Sequence, residues 1–500
     1  MQSLHSRQQC FVTFDFVDWE RFASAAGIVF IKSGPEPEQV QSEFGPGRYW
    51  LQRALVEITE DALGIARISV IGSAIFWMAG GLLALTAAPV AAQFGPVLSG
   101  TGAVNRSMAG ASTAAPLSAG GALFWNPATL SGLKRSELEM GVELLFPHAS
   151  MFANGTGLGL GSGSTESEDS VFPLPTIALA FHPEDSSFTY GLGVFAMSGF
   201  GLNYAGSTTN PIQAAPPAGL GFGPIYSQYS VLQIAPALVY EVSDQFSLSF
   251  SPVLDIATAQ LDPALITSPN PPAGPYPSGT HSRAAWGCGF TLGAYYQTDT
   301  WDLGASYKST QWFQPNRFSA SDNFGAPRSF EFNLDCPSII SVGTSYKGFD
   351  GVLLAADVRY LDFESTDGYS GSGFGPDLAL RGLGFQNIFA VALGSQYQLT
   401  DELSVRMGYS WNQNPIPNSQ VSANVASPLI IQHMVTAGAS YEVTRDFVLS
   451  LTYLHAFENS SQGPIVLPGL GPIPATSIKS TASIDSIMIG ATVKFGGTRP

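Results

Sequence analysis

Between residues 136 and 495 the chain repeats one pattern: apolar side chains fall at every second position of a segment, a connection follows, and the connections are short and long by turns. Strict alternation over four or more residues marks a strand with two unlike faces. In SELEMGVELLF, Leu138, Met140, Val142, Leu144 and Phe146 share one face, and Glu137, Glu139, Gly141 and Glu143 share the other. Three carboxylates in line cannot look at lipid, so their face must meet water or polar groups. The same phase holds in LSVRMGYSW, with Leu403, Val405, Met407, Tyr409 and Trp411 set against Ser404, Arg406, Gly408 and Ser410. In FVLSLTYLHAF, Phe447, Leu449, Leu451 and Tyr453 oppose Ser450 and Thr452.

Fourteen such segments run over 136–146, 172–182, 188–199, 225–241, 245–259, 283–298, 301–314, 329–346, 352–363, 384–399, 402–413, 431–443, 447–458 and 482–495. Six connections (PEDSS, VSDQ, TDTW, YKGFDG, LTDE and VTRD) are tight and carry turn chemistry. The other seven are long and rich in Pro, Gly, Ser and Asn, and the two kinds alternate without exception. Short turns on one rim, long loops on the other and an even strand number are the topology of an outer-membrane barrel. A soluble sandwich would not sort its loops this way. The expected fold is therefore all-β, a transmembrane antiparallel barrel of about 14 strands.

Composition agrees. Charged residues make up 12% of the chain and hydrophobic ones 45%, with 54 Gly and no long apolar run inside the barrel region. The 33 Phe, 17 Tyr and 8 Trp suit interfacial girdles. A net charge of −17 disfavours nucleic acid as a partner, because phosphate neutralisation needs clustered Lys and Arg. The one long apolar run, Ser69 to Gln93, follows Arg67 and ends in the small residues Val90, Ala91 and Ala92. Residues 66–92 thus read as a secretory signal peptide. Residues 1–65 read as an upstream extension from a gene-start error, the true start lying near residues 56 to 66. The remaining divisions are a plug at 93–135, the barrel at 136–495 and a tail at 496–500, where Phe495 is followed by GGTRP.

Chemistry-bearing motifs are sparse. Cys10, Cys288 and Cys336 make no metal-ligand or CxxC spacing, and the six histidines form no HxxxH or HExxH pattern. No metal or cofactor is expected. Cys288 and Cys336 fall on the lipid-facing phase, as do His433 and His455, so no histidine is set as the base of a Ser-His-acid triad. GTGLGLGSGS, Gly155 to Ser164, precedes no helix and is no dinucleotide loop. An enzyme is not expected.

The segment GTGAVNRSMAGASTAAPLSAGGALFWNPATLSGL, Gly100 to Leu133, resembles the N-terminal hatch of the long-chain fatty-acid transporter family (FadL/TodX-type, OMPP1). Its Asn-Pro-Ala motif stands here as Asn126, Pro127 and Ala128, after a small-residue run and before the first strand. YSVLQIAPALVYEVSDQFSLSFSPVLDI, DVRYLDFES and YQLTDELSVRMGYSWNQNPIP extend the resemblance over residues 97 to 495. It implies a monomeric fourteen-strand barrel plugged by the hatch, which takes up long-chain fatty acids or related hydrophobic compounds passively. Loops capture the substrate, the hatch shifts, and a kinked third strand opens the wall sideways. The partners implied are the substrate, outer-membrane lipid and the barrel-assembly machinery. Independently, a fourteen-strand lumen is too wide to be filled by its own side chains.

A fatty-acid carrier needs an apolar groove and a cation for the carboxylate. By strand phase, Arg406 and Arg359 are the candidates, with Lys494 a third; each is also placed to balance lumen carboxylates such as Glu139, Glu143 or Asp357. Phe200, Leu202, Leu220, Phe222 and Ile225 read as apolar loop residues for capture. Gly191, Gly193, Gly199 and Gly201 in FTYGLGVFAMSGFGLNY are the candidates for the kink. The rival readings are a general diffusion porin and a purely structural outer-membrane barrel.

Overall fold

The computed structural model describes residues 94–497 apart from residue 169 and residues 215–220 and 272–273. The signal peptide and upstream extension expected before residue 93, and Leu220, lie outside the described residues.

Fourteen strands close into one antiparallel barrel. They are β1 (Ser136–Asn154), β2 (Phe172–Phe181), β3 (Phe188–Tyr204), β4 (Ile225–Ser243), β5 (Phe246–Asp262), β6 (Ala285–Gln297) and β7 (Trp301–Lys308). There follow β8 (Ser338–Phe349), β9 (Val352–Asp362), β10 (Ile388–Gln398), β11 (Leu403–Asn412), β12 (His433–Thr444), β13 (Phe447–Gly463) and β14 (Ser477–Phe495). Each pairs with its sequence neighbours, and β1 pairs with β14 over its whole length, Ser136 opposite Phe495 and Asn154 opposite Ser477. Closure leaves no edge strand, which is the condition for spanning a bilayer with β structure.

The phase rule holds in three dimensions. Glu137, Glu139 and Glu143 are buried in the lumen while Leu144 on the same strand is 39% exposed outside. On β13, Leu449, Leu451 and Tyr453 face out and Ser450 and Thr452 are buried. Cys336 departs from its expected place. The segment read as one strand at 329–346 is two elements: residues Pro327–Phe332 pair with Asn316–Ser321 in a hairpin above the barrel, and β8 starts only at Ser338. Pro337 stands between them, and the chain turns inward there, so Cys336 is buried and bridges Gln311. Burial, with Asp255 and Asp335 nearby, pushes its thiol pKa well above the ordinary value. Other segments shift at their ends as well, β1 running on to Asn154, β3 to Tyr204 and β13 to Gly463. The strand read to 314 stops at Lys308, and β14 begins five residues earlier than read, because the β1–β14 ladder continues beyond the apolar band.

Candidate functional site: a plugged lumen with a side opening

Residues 94–133 lie inside the barrel as two short helices, α1 (Ala103–Ser107) and α2 (Ala119–Trp125), and a 3-10 turn at Pro127–Gly132. Small residues let this segment approach the wall, and the wall answers with glycine. Gly304 and Gly343 pair directly across β7 and β8, as do Gly394 and Gly408 across β10 and β11, and Gly141 and Gly490 across β1 and β14. A Cβ on Gly304 would overlap the Thr113 carbonyl, and one on Gly408 would press on the Ala109 amide. The plug therefore sits in a seat made by omitting side chains.

Polar anchors then fix it. Asn126 caps the 3-10 turn: its side chain accepts from the Ala128 amide (3.2 Å) and donates to the carbonyls of Thr113 (2.7 Å) and, on β6, Ala294 (3.0 Å). Pro127 is pre-set for the first turn position. The sequence motif thus welds the hatch to the wall, and only an amide could make all three bonds. The carboxylates of β1 hold the other side. Glu137 accepts from the Ala119 amide and Glu139 from the Gly120 amide, at the start of α2, and Glu143 pairs with Arg106. Asp357 accepts from the amides of Ser112 and Thr113, the Thr113 hydroxyl and Arg359.

Arg359, a candidate for the substrate carboxylate, is completely buried, pairs with Asp357 at 2.6 Å and donates to the Gly110 carbonyl at 2.7 Å. Its guanidinium lies 3.7 Å from the Trp125 ring centre, and its Nε and Nη1 have no hydrogen-bond partner among the described residues. Lys308 was not singled out in the sequence, yet it lies in the same layer. It is buried, 4.8 Å from the Phe124 ring centre, and its ammonium donates to Gln233, which donates to Asp255. A lone Lys at a strand end gives no pattern signal; its partners come from three other elements. Arg406 lies elsewhere. It sits near the short-turn end of β11, bonded to Gln396 (2.7 Å) and Ser440 (2.7 Å), in a lower lumen lined by Glu137, Lys494, Glu442, Asp302 and Lys347. Lys494 itself pairs with Glu442 at 2.7 Å.

Beyond the hatch the lumen turns apolar. A cavity of about 60 Å³ is lined by Phe200, Tyr229, Leu261, Leu265, Phe318, Phe332, Leu334 and Leu383 among others. Phe200 rests against Tyr229 with ring centres 5.5 Å apart. Leu202 and Ile225 are buried in β3 and β4 rather than in loops, and Phe222 packs edge-on against Tyr276.

The wall beside this cavity is incomplete. The β1–β2 ladder ends at Leu145–Phe172 and the β2–β3 ladder at Thr176–Phe195, while β3 continues to Tyr204. A bulge between Ala196 and Ser198 displaces Met197, and Gly199 and Gly201 follow it. Gly191 and Gly193 instead lie in regular ladder below, where their missing side chains make room for Leu123 and Leu130 of the hatch and for Phe195. At the bulge the hatch takes the vacant edge of β3: the Leu98 amide donates to the Met197 carbonyl (3.0 Å) and the Gly199 amide to the Pro96 carbonyl (2.9 Å). A second cavity sits in the gap, lined by Pro147, His148 and Ala149 of β1, Phe200 and Gly201 of β3, Ala482–Ile484 of β14 and the inturned loop residues Ala426–Leu429 and Ile431. The two cavities share Phe200, Ala426 and Ser427 as a common partition.

The sequence profile of the outer-membrane transport proteins (OMPP1/FadL/TodX) matches residues 81–495. The chain belongs to this family. Its members are outer-membrane transporters of hydrophobic compounds, not enzymes, which places this barrel in the outer membrane. Among solved structures, a FadL homologue of Pseudomonas aeruginosa is similar with TM-score 0.63 and 16% identity over 80% of this chain and 100% of that one. The toluene transporter TodX of Pseudomonas putida gives 0.59 and 18% over 79% and 99%. The toluene transporter TbuX of Ralstonia pickettii gives 0.57 and 19% over 80% and 99%. These likenesses speak to the fold. No curated protein matches the chain.

Proposed function

We propose that this FadL/TodX-family barrel admits long-chain fatty acids or closely related acids through its outer loops. It passes them down their gradient into the apolar cavity and releases them sideways at the bulge of β3 when the hatch edge withdraws. The observation that carries the reading is the pair of cavities parted by Phe200 at the one place where the β1–β2 and β2–β3 ladders both stop. The lower lumen supports the sideways route. Its charged lining would oblige an apolar tail leaving along the axis to enter water, at about 25 cal/mol per Å² of exposed apolar surface. The acid head is supported by Lys308 and Arg359, two cations packed on the hatch rings Phe124 and Trp125; Arg359 keeps Nε and Nη1 without a partner among the described residues. Arg406, below the hatch, is then a structural residue of the lower lumen.

A plug anchored on nearly every side speaks against the diffusion porin, and two adjoining cavities parted by Phe200 speak against a purely structural barrel. A second reading has its own support. The cavity is aromatic and small beside the roughly 150 Å³ that holds a benzene in an apolar core, so a monoaromatic hydrocarbon would need less rearrangement than a long tail. Uptake of labelled palmitate and toluene by cells expressing the chain decides between them. Deleting Met197, which removes the bulge, stops uptake of the true substrate if the exit is lateral; undiminished uptake would remove the lateral route.

A further inference from the structure

On the outer face of the barrel, beside the side opening, the apolar band ends in ionisable residues. Along β14 the outward positions Val493, Ile489 and Ile487 are apolar and exposed, and Asp485, Ser483, Thr481 and Lys479 continue the same face. On β1 the outward run of Val142, Leu144 and Phe146 gives way to His148, and on β13 Leu449, Leu451 and Tyr453 give way to His455. Register brings the three change-over points together: Asp485 lies opposite His455 on one side and Phe146 on the other, and His148 lies opposite Ser483. Asp485 accepts from the Tyr453 hydroxyl (2.5 Å) and pairs with His455 Nδ1 (2.9 Å), and His148 stands within its field. His455 keeps Nε2 without a partner among the described residues.

The cluster's position supplies the function. His148 is both a member of the cluster and a wall residue of the side cavity. Resting on the lateral-release reading, we propose that this patch receives the carboxyl head of the departing substrate. The head hydrogen-bonds to His455 Nε2, beside His148, at the edge of the apolar band, while the tail turns down into the acyl layer. Asp485 holds His455 by Nδ1, directing Nε2 outward, and Tyr453 locks the carboxylate. The patch acts at release, so it leaves affinity for the luminal cavity untouched. A neutral hydrocarbon has no head to hand over and gains nothing from it.

The test is the variant His455→Phe, at a residue that lines neither cavity, which keeps a ring there and removes its nitrogens. Palmitate uptake by cells is compared with palmitate binding to the purified full-length barrel, and toluene uptake serves as the neutral control. The expected result is palmitate uptake reduced at least five-fold, with the binding constant and toluene uptake within two-fold of the parent. Unchanged palmitate uptake, or a binding constant that weakens in step with uptake, overturns the proposal. The Met197 deletion separates the two layers. If it blocks palmitate uptake while the histidine variant does not, lateral release stands and the receiving patch falls. If the deletion leaves uptake intact, lateral release falls and the patch with it.

Discussion

Replacing Asn126 with alanine should unseat the hatch without unfolding the barrel. The amide makes two donated bonds, to Thr113 and Ala294, and one accepted bond from Ala128, all in a buried setting. Each bond contributes about 0.5–1.5 kcal/mol net, and a buried group left without its partner loses about 1–3 kcal/mol. The total loss is about 2–4 kcal/mol. That acts on the seating equilibrium of the plug rather than on the fourteen-strand ladder, and it shifts the seated-to-unseated ratio roughly 30- to 700-fold. Aspartate at 126 is worse, because it turns a carboxylate oxygen on two carbonyl oxygens. The assay is conductance of the purified barrel in a planar bilayer, with heat-modifiable gel mobility to verify a folded barrel. Frequent large openings in the variant and a quiet parent are expected. A folded Asn126→Ala barrel as quiet as the parent would show that the motif does not seat the plug.

Other substitutions probe other joints. Gly304→Ala places a Cβ against the Thr113 carbonyl and should raise conductance as Asn126→Ala does, whereas Gly325→Ala at an open loop tip should not, both read in the same bilayer. Lys308→Met removes a buried cation packed on Phe124 of the hatch and should weaken palmitate binding at least ten-fold while leaving toluene binding within two-fold, measured by calorimetry. Arg406→Gln should change palmitate binding less than two-fold, since its partners Gln396 and Ser440 lie below the hatch. Phe200→Ala merges the two cavities and should speed palmitate release from the purified barrel in a stopped-flow displacement experiment.

The barrel was legible because each strand must show one face to lipid and one to the lumen, a constraint that writes period two into the chain from Leu138 to Val493. Loop sorting was legible for the same reason: turn residues such as those of PEDSS and VTRD are local chemistry. Strand ends were less so. Beyond the apolar band nothing requires the outward positions of β14 to be greasy, so Lys479 and Thr481 hide a ladder that continues regardless. Leu202 reads as a loop residue although β3 runs on through it to Tyr204. The site was the least legible part, since its contacts join residues far apart in the chain. Asp357 reaches back 244 residues to Thr113, and Gly304 meets the same residue. Gly191 and Gly193 show how a correct residue type carries the wrong role: they make room for the plug, while the bulge sits at Met197.

On the proposed lateral route, the hatch edge seals the side opening by pairing with β3. Val97 and Ser198 face each other in that pairing, between the bonds Leu98–Met197 and Gly199–Pro96. Cysteines at both positions, in a chain whose own cysteines are replaced, allow the seal to be locked by oxidation and freed by reduction. Palmitate uptake by the oxidised and the reduced protein is the most direct measurement. The account predicts uptake abolished on oxidation and restored on reduction; equal uptake in the two states would contradict it.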